Sequence, residues 1–140
     1  MAFFIGLVFF YALAWLAALF FPEALAGYAI KGTIAAAAMF ILVGISHFAK
    51  PEKLLAMLPE RWPFRKAMNY GSGTAEIVLG AGLLFESTRV YAAWGLLLLL
   101  VAVFPANISV ALRKKDLYNI SRLFFQPVYM GWVWLMVIGC

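Results

Sequence analysis

Glu76 stands where a carboxylate is costly. It lies within an apolar run from about Ala67 to Phe85, roughly 14 Å along it at 1.5 Å per helical residue. An ionisable group inside such a run must be protonated or paired, and is a functional candidate by default. Asn69, Ser72, Gly73, Glu76 and Gly80 recur at three- and four-residue spacing, so a helix gathers them on one face. His47 and Arg122 are the nearest basic candidates for the carboxyl. Matching faces recur elsewhere: Phe40, Gly44 and His47; Phe104, Asn107 and Ala111; Arg122, Gln126 and Tyr129. Such groups could bind a polar head group or hold a proton. His47, Tyr70, Ser72, Glu76, Asn107 and Gln126 are the candidate polar contacts. Phe40, Phe104 and Tyr129 are the candidate walls.

Each residue also has a plainer reading. Gly73 and Gly80 let helices approach closely, and Asn107 and Gln126 serve as interhelical glue. His47 faces a helix C-terminus, which favours its charged form. Arg122 is expected to snorkel to the surface.

These faces need helices to carry them. The expected spans are Ala2 to Phe21, Tyr28 to Ala49, Ala67 to Phe85, Val90 to Leu112 and Leu123 to Gly139. Pro22 should end the first, and Lys50 with Pro51 the second. Pro51 to Lys66 is too charged to span and should lie at an interface, with Trp62 as anchor. Glu86 to Arg89 reads as a tight turn and Arg113 to Arg122 as a basic loop. Ala24-Leu25-Ala26 looks like a signal cleavage site, but no Lys or Arg precedes the first apolar run. A retained helix is therefore expected.

Composition sets the class. The chain has 140 residues, 66% hydrophobic and 12% charged, with a mean hydropathy of +0.97. Soluble domains are roughly half apolar and a quarter charged. Spanning helices need about 20 apolar residues each, so the chain has room for four or five and no separate globular domain. An all-α integral membrane bundle is expected. Alternating spans put nine of the eleven Lys and Arg on one side and only Lys31 and Arg89 on the other. That bias makes the rich side cytoplasmic, with the N-terminus inside and Cys140 outside. The charge clusters beside apolar spans, so the net +5 does not indicate nucleic acid. The polar candidates then fall in the cytoplasmic half, and Pro105 and Pro127 add freed backbone acceptors close by.

One cysteine excludes dithiol cycling. No phosphate loop, HExxH or GxSxG appears, and one His with one Cys cannot make an ordinary zinc or two-histidine haem site. No complete catalytic or metal constellation is present, so no intrinsic cofactor is expected. Any redox cofactor would be borrowed from a partner or be lipid-soluble, such as a quinone.

Several short motifs occur in order. They include Gly44-Ile45-Ser46-His47-Phe48, Pro51-Glu52, Met57-Leu58-Pro59, Tyr70-Gly71-Ser72-Gly73 with Glu76-Ile77, and Gly80-Ala81-Gly82-Leu83-Leu84. Arg89, Ala92-Ala93-Trp94 and Val103-Phe104-Pro105-Ala106-Asn107-Ile108 follow. Together they look like the DoxX family of small bacterial membrane proteins, over about Tyr28 to Trp134. The resemblance implies a four-helix membrane domain at 28–140, with an interfacial segment at 51–66. It leaves 1–27 as an extra N-terminal transmembrane helix and turn, and it implies the bacterial inner membrane. Relatives in that family are associated with membrane redox systems, including a thiosulfate:quinone oxidoreductase. The resemblance brings no catalytic residue with it. His47, Ser72, Glu76 and Asn107 match and coincide with the polar faces.

Three functions follow as expectations. The first is a non-catalytic subunit binding a small amphipathic or quinone-like molecule, or a lipid, beside a membrane oxidoreductase. The second is a structural or assembly subunit of a larger membrane complex, docked through the first helix. A proton-coupled transporter ranks last, because no broken-helix repeat pair is present.

Overall fold

Apolar periodicity resolves into six α-helices in the computed structural model, which describes residues 2–139. They are α1 (Ala2–Ala17), α2 (Tyr28–Ala49), α3 (Pro51–Leu55), α4 (Arg65–Gly82), α5 (Glu86–Lys114) and α6 (Leu117–Val133). A π-helical turn, Trp134–Ile138, continues α6. No strand occurs among the described residues. Cys140 and the orientation expected of it lie outside the described residues.

Helices α2, α4, α5 and α6 pack in that order around a common core, with the π turn closing against α2. Phe40, Leu83, Leu96 and Val133 are buried there. Helix α1 covers the seam between α2 and α6. Phe3 packs edge-on to Phe40 and tilted against Tyr129, and Tyr11 meets Trp132. Two helices, α2 and α5, are long and apolar enough to cross a membrane, and α1 is apolar but shorter.

Local chemistry explains the boundaries. Gly27 takes φ 85° before α2, a conformation that only glycine adopts cheaply. The Lys50 N–H donates to Ser46 O at 2.9 Å, and Pro51 begins α3, where its missing N–H costs nothing. Asp116 caps α6 by accepting from the Asn119 N–H at 2.8 Å, as N-cap carboxylates do.

Several expected boundaries shift. Helix α1 ends at Ala17, before Pro22, through a run of overlapping turns. Glu86 to Arg89 is no turn; it is the first turn of α5. There the Thr88 hydroxyl donates to Gly82 O (2.8 Å) and Arg89 Nε donates to Leu83 O (3.1 Å), satisfying carbonyls that the end of α4 leaves open. The chain turns instead between Gly82 and Glu86. Most of the supposed basic loop is helix, leaving Lys115 and Asp116 between α5 and α6. Helix α4 begins two residues before Ala67 and ends three before Phe85.

Candidate functional site

The α2–α4 crossing sets the geometry. Gly44 and Gly73 face each other so closely that their backbones touch where side chains would otherwise stand. That approach brings His47, one turn beyond Gly44, over Asn69 and Glu76. His47 Nδ1 lies 2.9 Å from Asn69 Oδ1, while Asn69 Nδ2 donates to His47 O at 3.0 Å. The second bond fixes the amide so that its oxygen faces the ring. Nδ1 therefore carries a hydrogen and donates, an assignment that follows from the network. The other nitrogen, Nε2, points at Glu76 Oε2, 3.4 Å away. That distance is within ion-pair range, but the geometry makes no hydrogen bond, and Oε2 is buried without a hydrogen-bond partner. Such an atom in a native fold calls for an explanation.

A second network crosses from α5 to α6. Asn107 Nδ2 donates to Gln126 Oε1 at 2.7 Å, and Gln126 Nε2 donates to Leu100 O at 2.6 Å. Leu100 sits next to Val101, whose carbonyl loses its helical donor to Pro105. Arg122 Nη2 donates to Asn107 Oδ1 at 3.2 Å. Its Nη1 reaches the Met57 sulfur at 2.8 Å.

Two cavities adjoin these networks. One, of about 290 Å³, has Phe3, Met39, Phe40, Leu100 and Tyr129 among its apolar and aromatic walls, with Gln126 at its polar end. The other, of about 140 Å³, includes His47, Asn69, Ser72 and Trp62. Glu76, Asn107, Arg122 and Met57 line both, so the polar groups stand at the shared wall. Among the described residues no metal-binding group of three His, Cys, Asp or Glu forms.

Of the residues expected to line a pocket, His47, Ser72, Glu76, Asn107, Gln126, Phe40 and Tyr129 do so. Tyr70 and Phe104 line neither. Tyr70 is 38% exposed and stacks on Phe48 outside the bundle, because it lies one position off the Asn69–Gly73–Glu76 face. Phe104 is half-buried, off the arc that carries Leu100, Val103 and Asn107 inward.

Arg122 corrects another expectation. It does not snorkel; it turns into the bundle. The segment after α2 folds across the cavities as a strap. Leu54 and Met57 line both cavities, and Trp62 lines the smaller one. Arg65 from α4 donates to Leu55 O, and Arg113 from α5 donates to Met57 O at 3.0 Å. Nothing in the local pattern announced Met57 as a site residue, although the cluster Leu54, Leu55, Met57 and Leu58 was a sign of a buried face. Lys31 was also missed. It is buried at the other end of α2, donating to Gly27 O at 3.0 Å with its ammonium 4.0 Å above the Trp15 ring, a cation–π seat.

Residues 36–137 match the family described as a domain of unknown function, DUF8561. The match takes in most of the chain, and the chain belongs to that family. It begins inside α2 and leaves α1 outside. Neither the curated proteins nor the solved structures give a match.

Proposed function

We propose that this DUF8561 chain is a five-span membrane protein, resembling DoxX proteins, that holds a small amphipathic or quinone-like molecule in its central cavities. Its role is that of a binding subunit beside a membrane redox system, not that of a complete enzyme. The observation that carries the reading is the shared wall. One carboxyl, one guanidinium and one amide meet there, with the His47 imidazole on the side of the smaller cavity and the Gln126 amide on the side of an aromatic chamber of about 290 Å³. That shape suits a molecule with a polar head and an apolar body. The four residues that both carry the DoxX likeness and lie on polar faces, His47, Ser72, Glu76 and Asn107, all line the smaller cavity.

The membrane setting is supported by surface chemistry. The most apolar window of α5 is only 28% buried, whereas a soluble core helix would be mostly covered. Tyr91, Trp94, Leu98 and Val101 form an exposed stripe along it. Ile5, Phe9 and Leu16 do the same on α1. Continuous apolar faces of this extent fit lipid. Helix α4 falls short on hydropathy because its polar face belongs to the cavity.

The binding reading is tested with a diazirine-bearing alkanol and the full chain in lipid nanodiscs. Photolabelling is expected at Phe40, Leu100 and Val103, and filling the chamber with Val103→Trp should cut it at least fivefold. Labelling confined to outward residues such as Leu98 would sink the reading.

Orientation rests on the split of nine cations against two. The basic loops belong in the cytoplasm of a bacterial inner membrane and Cys140 on the far side. A membrane-impermeant maleimide on outer-membrane-permeabilised cells is expected to label Cys140. Labelling only after the inner membrane is opened, beside an accessible control thiol, would reverse the orientation.

A further inference from the structure

We infer that the occupant of the cavities is an amphipathic monoanion, of the medium-chain carboxylate class, and that it binds together with one proton seated between Glu76 and His47. This inference rests on the cavity-binding reading and names its ligand.

His47 from α2, Glu76 from α4 and Arg122 from α6 are the groups, phenols apart, that line the cavities and could carry charge among the described residues. Helices α1 and α5 and the strap contribute apolar side chains and the Asn107 amide. The other arginines close to the strap, Arg65 and Arg113, are turned to the Leu55 and Met57 carbonyls and line neither cavity. With Glu76 ionised and His47 neutral, the Glu76 carboxylate balances the Arg122 guanidinium.

The two charges are not equivalent. A guanidinium in a protein does not deprotonate. A carboxylate can be neutralised, and here the seat for the proton is built. Nδ1 of His47 is committed to Asn69, so Nε2 offers a lone pair toward the unpartnered Oε2 of Glu76 at 3.4 Å. One proton placed there serves both atoms, whichever of them holds it. The site can therefore shed its negative charge but not its positive one, and an anion is the partner it can balance. An ammonium head would meet the permanent charge of Arg122.

Arg122 is also ready to receive the anion. One of its N–H groups is spent on the Met57 thioether, a weak acceptor. A carboxylate would displace it with a charge-assisted bond. The ligand enters as the anion and one proton enters from water, so the cavity's net charge is zero before binding (Arg122 and Glu76) and zero after it (Arg122, Glu76, His47, the proton and the ligand). The chamber's volume is that of roughly ten waters, room for an apolar chain of several carbons.

The test is calorimetry of octanoate binding to the full chain in phosphatidylcholine nanodiscs, at about pH 9, where the site starts with Glu76 ionised, in two buffers of different ionisation enthalpy. Uptake of close to one proton per octanoate is expected, with the affinity falling up to about tenfold per pH unit on the alkaline side. Glu76→Gln is expected to bind octanoate without proton uptake, and Arg122→Gln to lose octanoate while Arg122→Lys keeps part of it. Binding of octanoate without proton uptake in the wild type would overturn the inference, and this readout needs no variant to fold. Persisting uptake in Glu76→Gln, or preference for octyltrimethylammonium, would also overturn it. If the neutral alkanol labels the chamber and octanoate does not bind, the anion inference fails and the cavity reading stands. If neither binds, both fail.

Discussion

Gly44→Ala is expected to destabilise the bundle by about 2–3 kcal/mol, at the upper end of overpacking costs, and Gly44→Val by more. A Cβ at Gly44 would lie 2.6 Å from Ile77 Cγ1 and 2.7 Å from the Gly73 carbonyl oxygen. The second obstacle is backbone, so no rotamer change removes it; the helices must part. Gly73 faces the same seam, where its Cβ would stand 2.5 Å from His47 Cβ. One heptad away, a Cβ on Gly80 would come within 3.3 Å of Ala37 O. Small residues thus let α2 and α4 approach along two heptads, as small-residue seams do in membranes. Parting them also lifts His47 away from Glu76, so ligand binding should fall with stability. Gly71→Ala is the control. Its Cβ would meet nothing within 4 Å, and the change should be neutral or stabilising by up to about 1 kcal/mol. Denaturant titration in mixed micelles reads both. A Gly44→Ala protein as stable as wild type would mean that the tight crossing does not hold the bundle together.

How much of this could be read from the sequence differs from element to element. The limits of α2 coincide with the expected Tyr28 and Ala49, because Gly27 and Pro51 act through local backbone chemistry. The grouping of Asn69, Gly73 and Glu76 was legible for the same reason: helical periodicity fixes which residues share a face. The start of α5 was not legible. Glu86-Ser87-Thr88-Arg89 has turn-like composition, yet Thr88 and Arg89 are held helical by the carbonyls they satisfy at the end of α4. Arg122 could not be assigned from its surroundings either. At the edge of an apolar run, snorkelling and inward turning look alike, and the decision comes from Asn107 on another helix and Met57 on the strap. Tyr70 shows the opposite error. Its type suited a pocket, but its position faces outward. The polar face itself lowered the apolar character of α4, so composition alone does not mark out the helix that carries the site.

Glu76 and Arg122 line the same two cavities, and removing both should cost less than the two single removals added together. Arg122→Met leaves the Glu76 carboxyl without a countercharge and withdraws a donor from Asn107 Oδ1 and from Met57. Glu76→Gln leaves a guanidinium among apolar walls with only neutral acceptors, Asn107 Oδ1 and the Met57 sulfur. Breaking a buried pair from one side typically costs about 3–5 kcal/mol, and each single variant is expected near the lower end because Arg122 is only half-buried and the two groups share a cavity wall without an ion-pair contact. The double variant leaves no uncompensated ion. Its cost should fall short of the sum of the two singles by about 2 kcal/mol, within the usual range for groups in one network. Unfolding of all four proteins at one pH, in one detergent mixture, gives the cycle. Additivity within about 0.5 kcal/mol, the margin expected for independent sites, would mean that Glu76 and Arg122 do not sense each other. The balanced cavity, and the proton-linked anion binding that depends on it, would then be wrong, whereas the chamber behind Phe40 and Tyr129 could still hold a neutral molecule.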